Sequence, residues 1–156
     1  MKFQKGQSIV EFTLILPLFL LFLFGIVYFS MMFLDYMTLS TVARNSARDA
    51  SVVESSTEYA NGYPTIRKHY ETQTLPVDIY DWDPTSTSDF KIEYKPSSNS
   101  SEHGNVMVTV NAKFNDNGSW LAGIIDGLMD NKNTKKLDLH ITCTMYSEDN
   151  SALYNF

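Results

Sequence analysis

The chain has 156 residues, and its 18 acidic and 12 basic side chains give a formal net charge of −6. Phosphate binding needs a basic face, so this charge excludes nucleic acid as a partner. The single cysteine, Cys143, cannot form an internal disulfide, and packing alone must therefore hold a folded domain together.

A long apolar stretch, Phe12 to Leu34, dominates the N-terminal part of the chain. It carries no charged side chain, and Thr13 and Ser30 bring its only aliphatic hydroxyl groups. A run of about 20 apolar residues is what an α-helix needs to cross the hydrocarbon of a bilayer. We therefore expect a membrane-spanning helix over residues 7–34, preceded by a leader at residues 1–6. Its first turn should be weak or kinked, because Pro17 cannot donate a hydrogen bond to the carbonyl of Thr13.

The charges on either side of this stretch predict how the helix is oriented across the membrane. Lys2 and Lys5 precede it, no acidic residue comes before Glu11, and the part that follows opens with Asp35 and is acidic. The positive-inside rule then places the N-terminus in the cytoplasm and the C-terminal part outside. A cleaved secretory signal also begins with lysines, but its apolar core is usually only about 7–15 residues long.

Glu11 is a candidate functional residue, because a carboxylate beside hydrocarbon costs a few kcal/mol unless it is paired. The alternative is an acid that simply reaches water at the membrane edge. The spacing of Gly6 and Glu11 before an apolar helix resembles the processing site of type IV prepilins. That resemblance implies cleavage between Gly6 and Gln7 by a membrane prepilin peptidase, and an assembly role for Glu11 and Phe12. The freed Gln7 amine would then lie one helical turn from Glu11, so that the two charges can offset each other between neighbouring subunits.

A second resemblance narrows the family. Val10-Glu11-Phe12, Leu16-Pro17 and the Ala-Arg repeat after the apolar stretch together resemble the TadE-like proteins of tight-adherence (Tad) pilus systems, most strongly over residues 6–50. Ser46 departs from the pattern, since the family often has a small alanine there. The resemblance implies a minor pilin or pseudopilin whose partners are other pilin subunits, the prepilin peptidase, the Tad assembly machinery and cytoplasmic-membrane lipid.

Beyond the apolar stretch, residues 35–60 are predicted to continue the helix in amphipathic form. The Ala-Arg repeat supplies four candidate packing residues, and Arg44 and Arg48 share one face because they are four residues apart. The small residues permit close approach, either of the chain's own domain or of another subunit. The predicted apolar stripe consists of Leu39, Val42, Ala43, Ala47, Ala50 and Val53.

Residues 61–156 alternate between turn signals and short strand patterns, which is typical of a small antiparallel sheet. A turn is expected at Asn61–Pro64, then a short helix at Thr65–Thr72 with Thr65 as its cap, and a loop over Leu75–Ser88. A further turn at Asn117-Gly118 and a helix over Trp120–Met129 are expected before the last strand. The predicted strands are Phe90–Lys95, Val106–Phe114 and Lys136–Met145. The predicted fold is α+β and pilin-like, with the long helix packed on the sheet.

The sequence indicates no catalytic or metal centre. His140 and Cys143 are three apart in a predicted strand and therefore point to opposite faces, which leaves Cys143 on the apolar side. Asp78, Asp81 and Asp83 lack the glycine and the closing glutamate of a calcium loop. We therefore expect no cofactor, no metal and no enzymatic activity.

These observations favour a minor pilin or pseudopilin that is cut after Gly6 and acts in the assembly, priming or capping of an adhesive pilus. The alternative is a single-pass anchored extracellular binding domain that is never polymerised. A membrane-anchored enzyme is the second alternative. Cleavage after Gly6 would favour the pilin, whereas an intact leader would favour the anchored binding domain.

Overall fold

One helix carries the N-terminal third of the molecule. The computed structural model describes residues 4–53, 58, 60–77, 79–97, 104–115 and 137–147, and for residues 4–7 it describes the backbone alone. Helix α1, Gln4–Ser51, has 48 residues and continues through Pro17. The proline does not end the helix. The turn expected at Asn117-Gly118 and the helix expected over Trp120–Met129 lie outside the described residues.

A tight turn and a short helix, α2, follow α1. Gly62 and Tyr63 adopt positive φ angles of 70° and 56°, and α2, Pro64–Tyr70, begins directly after them. Proline suits the first helical position because the N–H that it lacks would have no partner there. The prediction that Thr65 caps this helix is wrong. Thr65 lies inside α2, and its backbone N and Oγ1 donate to the Glu58 carboxylate over 3.3 and 2.6 Å.

Four antiparallel strands form the sheet: β1 at Tyr80–Asp81, β2 at Phe90–Lys95, β3 at Asn105–Phe114 and β4 at Leu139–Tyr146. Strand β3 is central, with β4 along one edge and β2 and β1 along the other. Strand β1 lies inside the segment predicted to be a loop, Leu75–Ser88. The prediction missed it because two residues are too few to show an alternating pattern.

The C-terminal half of α1 packs against the inner face of this sheet. On this side α1 carries three small, fully buried side chains, Ala43, Ala47 and Ala50. Because these side chains are small, the helix axis lies close to the strands. Strand β3 presents a valine to the helix at every second position, as the period of a strand requires. The predicted α+β, pilin-like fold is therefore confirmed. The largest fully buried apolar side chains in the described strands are Phe90, Val106, Val108 and Val110.

Gly104, just before β3, marks a close approach between two strands. A Cβ on Gly104 would lie 2.5 Å from both the carbonyl oxygen of Lys95 and the hydroxyl of Tyr94. We expect Gly104→Ala to lower the free energy of unfolding by about 1–3 kcal/mol, since the backbone oxygen must shift. Denaturant unfolding of the full chain in detergent measures this. Gly25→Ala is the matched control, because its added Cβ meets nothing within 4 Å; equal effects of the two substitutions would contradict the prediction.

Candidate assembly surface on the long helix

The N-terminal half of α1 is apolar all round and uncovered. Every large apolar side chain from Ile9 to Val27 is exposed, and the most apolar window of 18 residues has a mean hydropathy of 2.6 with none of it buried. A helix with apolar side chains on all sides belongs in hydrocarbon or among other helices. By length and composition, Ser8–Ser51 includes a helix that can cross a membrane once.

The hydroxyl groups in this stretch are satisfied by the helix itself. Thr13 Oγ1 donates to the carbonyl of Ile9 over 2.8 Å, and Ser30 Oγ donates to the carbonyl of Ile26 over 2.9 Å. A polar group in hydrocarbon without a partner costs several kcal/mol. These internal bonds leave the outside of the helix apolar, so both hydroxyls are compatible with a membrane span.

Glu11 is exposed and lies at the edge of the apolar stretch. Because α1 begins at Gln4, the predicted processing site, Gly6 and Gln7, belongs to its first turns. Gln7 lies four residues before Glu11, so the two positions share one face and are separated by about 6 Å along the axis. Phe12 follows with 64% of its side chain exposed. The structure thus places the predicted processing and assembly residues together at one end of the helix.

The structure divides the four predicted packing residues into two pairs. Ala43 and Ala47 are fully buried against the chain's own sheet. Arg44 and Arg48 are exposed on the outward side of α1. The small-residue stripe is therefore covered within the monomer, and the arginine pair is the part of the repeat that a neighbouring molecule can reach.

Asp35 is a residue whose role the sequence analysis missed. Its side chain is fully buried, and its two carboxylate oxygens accept hydrogen bonds from the backbone N of Val77 over 3.2 Å and of Ile79 over 2.9 Å. It ties the segment before β1 to α1, at the point where the helix leaves its apolar stretch. The sequence did contain a signal that Asp35 is buried. Asp35 lies four residues before Leu39 and therefore on the same helix face as the buried stripe.

A second tie joins α1 to α2. The Tyr70 hydroxyl donates to Asp49 Oδ2 over 2.9 Å. Burial, with the hydrogen bond to Asp49 as the next cause, raises the pKa of Tyr70 to about 12. The hydroxyl therefore stays protonated at physiological pH and keeps its role as a donor. Asp35 and Asp49 are about 21 Å apart along the axis, so the ties hold both ends of the packed half of α1.

The histidine and the cysteine of the last strand lie on opposite faces. His140 is exposed, and its Nδ1 hydrogen-bonds with Asn111 Oδ1. Cys143 is a free thiol, half-buried on the inner face. Within the described ranges, no group of three or more His, Cys, Asp or Glu side chains is placed to hold a metal ion. Asp78, which belongs to the predicted acidic trio, lies outside those ranges.

Comparison with known proteins gives one match. Residues 6–48 match the model of a family described as TadE-like protein. The matched range covers nearly all of α1 and includes Gly6, Glu11, Arg44 and Arg48. No curated protein and no solved structure matches the chain. The resemblance to TadE-like proteins predicted from the sequence is thus confirmed over the long helix.

Proposed function

We propose that this protein is a minor pilin or pseudopilin of a Tad-type pilus. It inserts with its N-terminus in the cytoplasm and its α+β domain outside, is cut after Gly6, and acts in assembly, priming or capping of an adhesive filament. The observation that carries the proposal is the form of α1, which is apolar and exposed on all sides at one end and packed on a sheet at the other. Its partners are other pilin subunits, the prepilin peptidase, the Tad machinery and membrane lipid.

The mechanism follows from the charges at the apolar end. Cleavage frees the amine of Gln7, which carries a positive charge, one turn from the carboxylate of Glu11. In a bundle of such helices each charge lies beside apolar side chains, where an unpaired charge costs several kcal/mol. Pairing the amine of one subunit with Glu11 of the next offsets both costs and sets the axial register between the two subunits. Because this role needs no catalytic residue, we propose that the protein is not an enzyme.

We expect Gly6→Val to block the cut while leaving membrane insertion intact. A β-branched side chain at the scissile position obstructs a peptidase site that closes tightly around glycine. Mass spectrometry of the N-terminus of the membrane protein measures the cut. Gly25→Val is the matched control, because the same change is made in the same helix at an open position.

The same mature N-terminus in wild type and in Gly6→Val would contradict processing at this position. An uncut wild-type chain that reaches the cell surface would instead indicate the alternative function, an anchored binding domain that is never polymerised.

A further inference from the structure

Four exposed side chains form a stripe along the outward side of α1, beyond the apolar stretch. Met37, Thr41, Arg44 and Arg48 are spaced by four, three and four residues, which places them on one helix face. The face opposite to them is the buried one, packed on the sheet. We call these four residues the arginine face. In the monomer it has no covering element among the described residues.

The two arginines of this face have no anionic partner among the residues whose placement is described. Within the part of the chain that the structure describes, neither makes an ion pair or a hydrogen bond, whereas Arg67 donates to the carbonyl of Thr85 and Lys91 pairs with Glu93. Two guanidinium groups about 6 Å apart on a helix repel each other. Such a pair is stabilised by carboxylates brought from outside.

The same chain presents carboxylates in a cleft beside β1. The cleft has a volume of about 500 Å³, and its described lining residues include no lysine or arginine. Hydrogen bonds from Thr85, with the charge of Arg67 as a smaller cause, hold the pKa of Asp83 below its usual range, so this carboxylate is ionised. Lys113 lies opposite Asp81 in the β1–β3 ladder, but the two form no ion pair. We call this the acidic cleft; its charged and aromatic lining residues are Glu71, Tyr80, Asp81, Trp82 and Asp83.

We propose that the arginine face of one molecule docks into the acidic cleft of a second copy. The charges are complementary, and a guanidinium matches a carboxylate through two parallel hydrogen bonds. Lipid headgroups do not fit as the partner, because Arg44 lies about 15 Å beyond Leu34 along the helix axis.

The proposed contact joins two different surfaces of the same chain. Such a heterologous contact repeats from copy to copy and produces an open assembly rather than a closed pair, unless its rotation closes a ring. An open assembly is the form that a filament needs. The relevance of this contact to a filament therefore rests on the proposed function. The contact between two copies does not depend on it and can be tested alone.

The test uses intermolecular cross-linking of the full-length chain in membranes, with Cys143→Ser as the background. One copy carries Thr41→Cys beside the arginines, and a differently tagged copy carries Thr74→Cys in the cleft lining. We expect a short bismaleimide to link the two copies when they are mixed and to link neither single-cysteine chain to itself. Equal linking of each chain to itself would overturn the heterologous contact.

Charge reversal gives the second arm of the test. Reversing either set of charges in both copies should reduce the linked product at least tenfold. The two double variants are Arg44→Glu with Arg48→Glu, and Glu71→Lys with Asp81→Lys. All four reversals together should restore it, because the charges are complementary again. Lys68→Glu with Lys95→Glu is the matched control and should leave the product unchanged. The neutral pair Glu71→Gln with Asp81→Asn should also reduce the product, and membrane levels of every variant verify folding.

The outcomes separate this inference from the proposed function. Linking that does not respond to charge reversal, or that the four-fold reversal fails to restore, overturns the arginine–cleft contact even if filaments contain the protein. Linking that behaves as expected, in a protein that never enters filaments, supports the contact and contradicts the pilin function. Linking only to a different protein in the membrane overturns the assignment of a second copy.

Discussion

Replacing Glu11 by alanine should nearly abolish incorporation of the protein into filaments, or their initiation, while cleavage and membrane insertion continue. Neither of those steps needs the charge, whereas assembly leaves the Gln7 amine beside hydrocarbon with no counter-charge. Breaking one partner of a buried ion pair costs about 3–5 kcal/mol, which corresponds to a loss of about two to three and a half orders of magnitude in an association constant. The measurement is the amount of this protein and of the major pilin in sheared filaments.

Glu93→Ala is the matched control for this experiment. It removes a carboxylate from the sheet, where, among the described residues, Glu93 forms an ion pair with Lys91 alone. We expect no change in filaments from that substitution. Normal amounts of both proteins in filaments of Glu11→Ala, with the cut confirmed, would show that Glu11 is only an acid at the membrane edge and that the assembly mechanism is wrong.

Asp35→Ala should destabilise the folded domain by about 2–5 kcal/mol. The substitution leaves the backbone N–H groups of Val77 and Ile79 without their acceptor, and each buried donor left unsatisfied costs about 1–3 kcal/mol. Asp35→Asn should be intermediate, because an amide oxygen can accept one of the two bonds while its NH₂ faces the other donor. Denaturant unfolding of the full chain in detergent, followed by tryptophan fluorescence, measures both changes.

Asp49→Ala provides the comparison for this series. Asp49 also joins α1 to the rest of the domain, but its side chain is exposed and accepts a single bond from Tyr70. We expect a loss of about 0.5–1.5 kcal/mol, typical of one hydrogen bond. If Asp35→Ala destabilises no more than Asp49→Ala, then the segment before β1 does not depend on the buried carboxylate.

The elements with a strong local pattern were predictable from the sequence. Strand β2 was predicted at Phe90–Lys95, where the structure has it, and β3 begins one residue earlier than predicted, at Asn105. In both strands one face is more buried than the other, so their side chains alternate in polarity. The membrane-spanning stretch and the family resemblance likewise depend on consecutive residues of α1.

The features that the sequence did not predict depend on contacts between distant residues. Asp35 accepts hydrogen bonds from residues 42 and 44 positions further along the chain, and a pattern within α1 does not show them. The acidic cleft combines side chains from the segment that follows α2, from β1 and the loop after it, and from Asn115 just beyond β3. The stripe of small residues was also ambiguous, because Ala43 and Ala47 permit close approach to any surface, and only the packed structure shows that the chain's own sheet covers them.

The unbroken course of α1 also makes the molecule sensitive to helical phase. Membrane stretch and domain share one helix axis, so each residue added between them would turn the domain by about 100° and raise it by about 1.5 Å. A single insertion after Gly25 would leave the fold intact but rotate the arginine face by slightly more than a quarter turn relative to Glu11. Four inserted residues make slightly more than one full turn and would nearly restore that bearing, at a domain about 6 Å further from the membrane. The length of this helix is therefore constrained in steps of a turn rather than residue by residue.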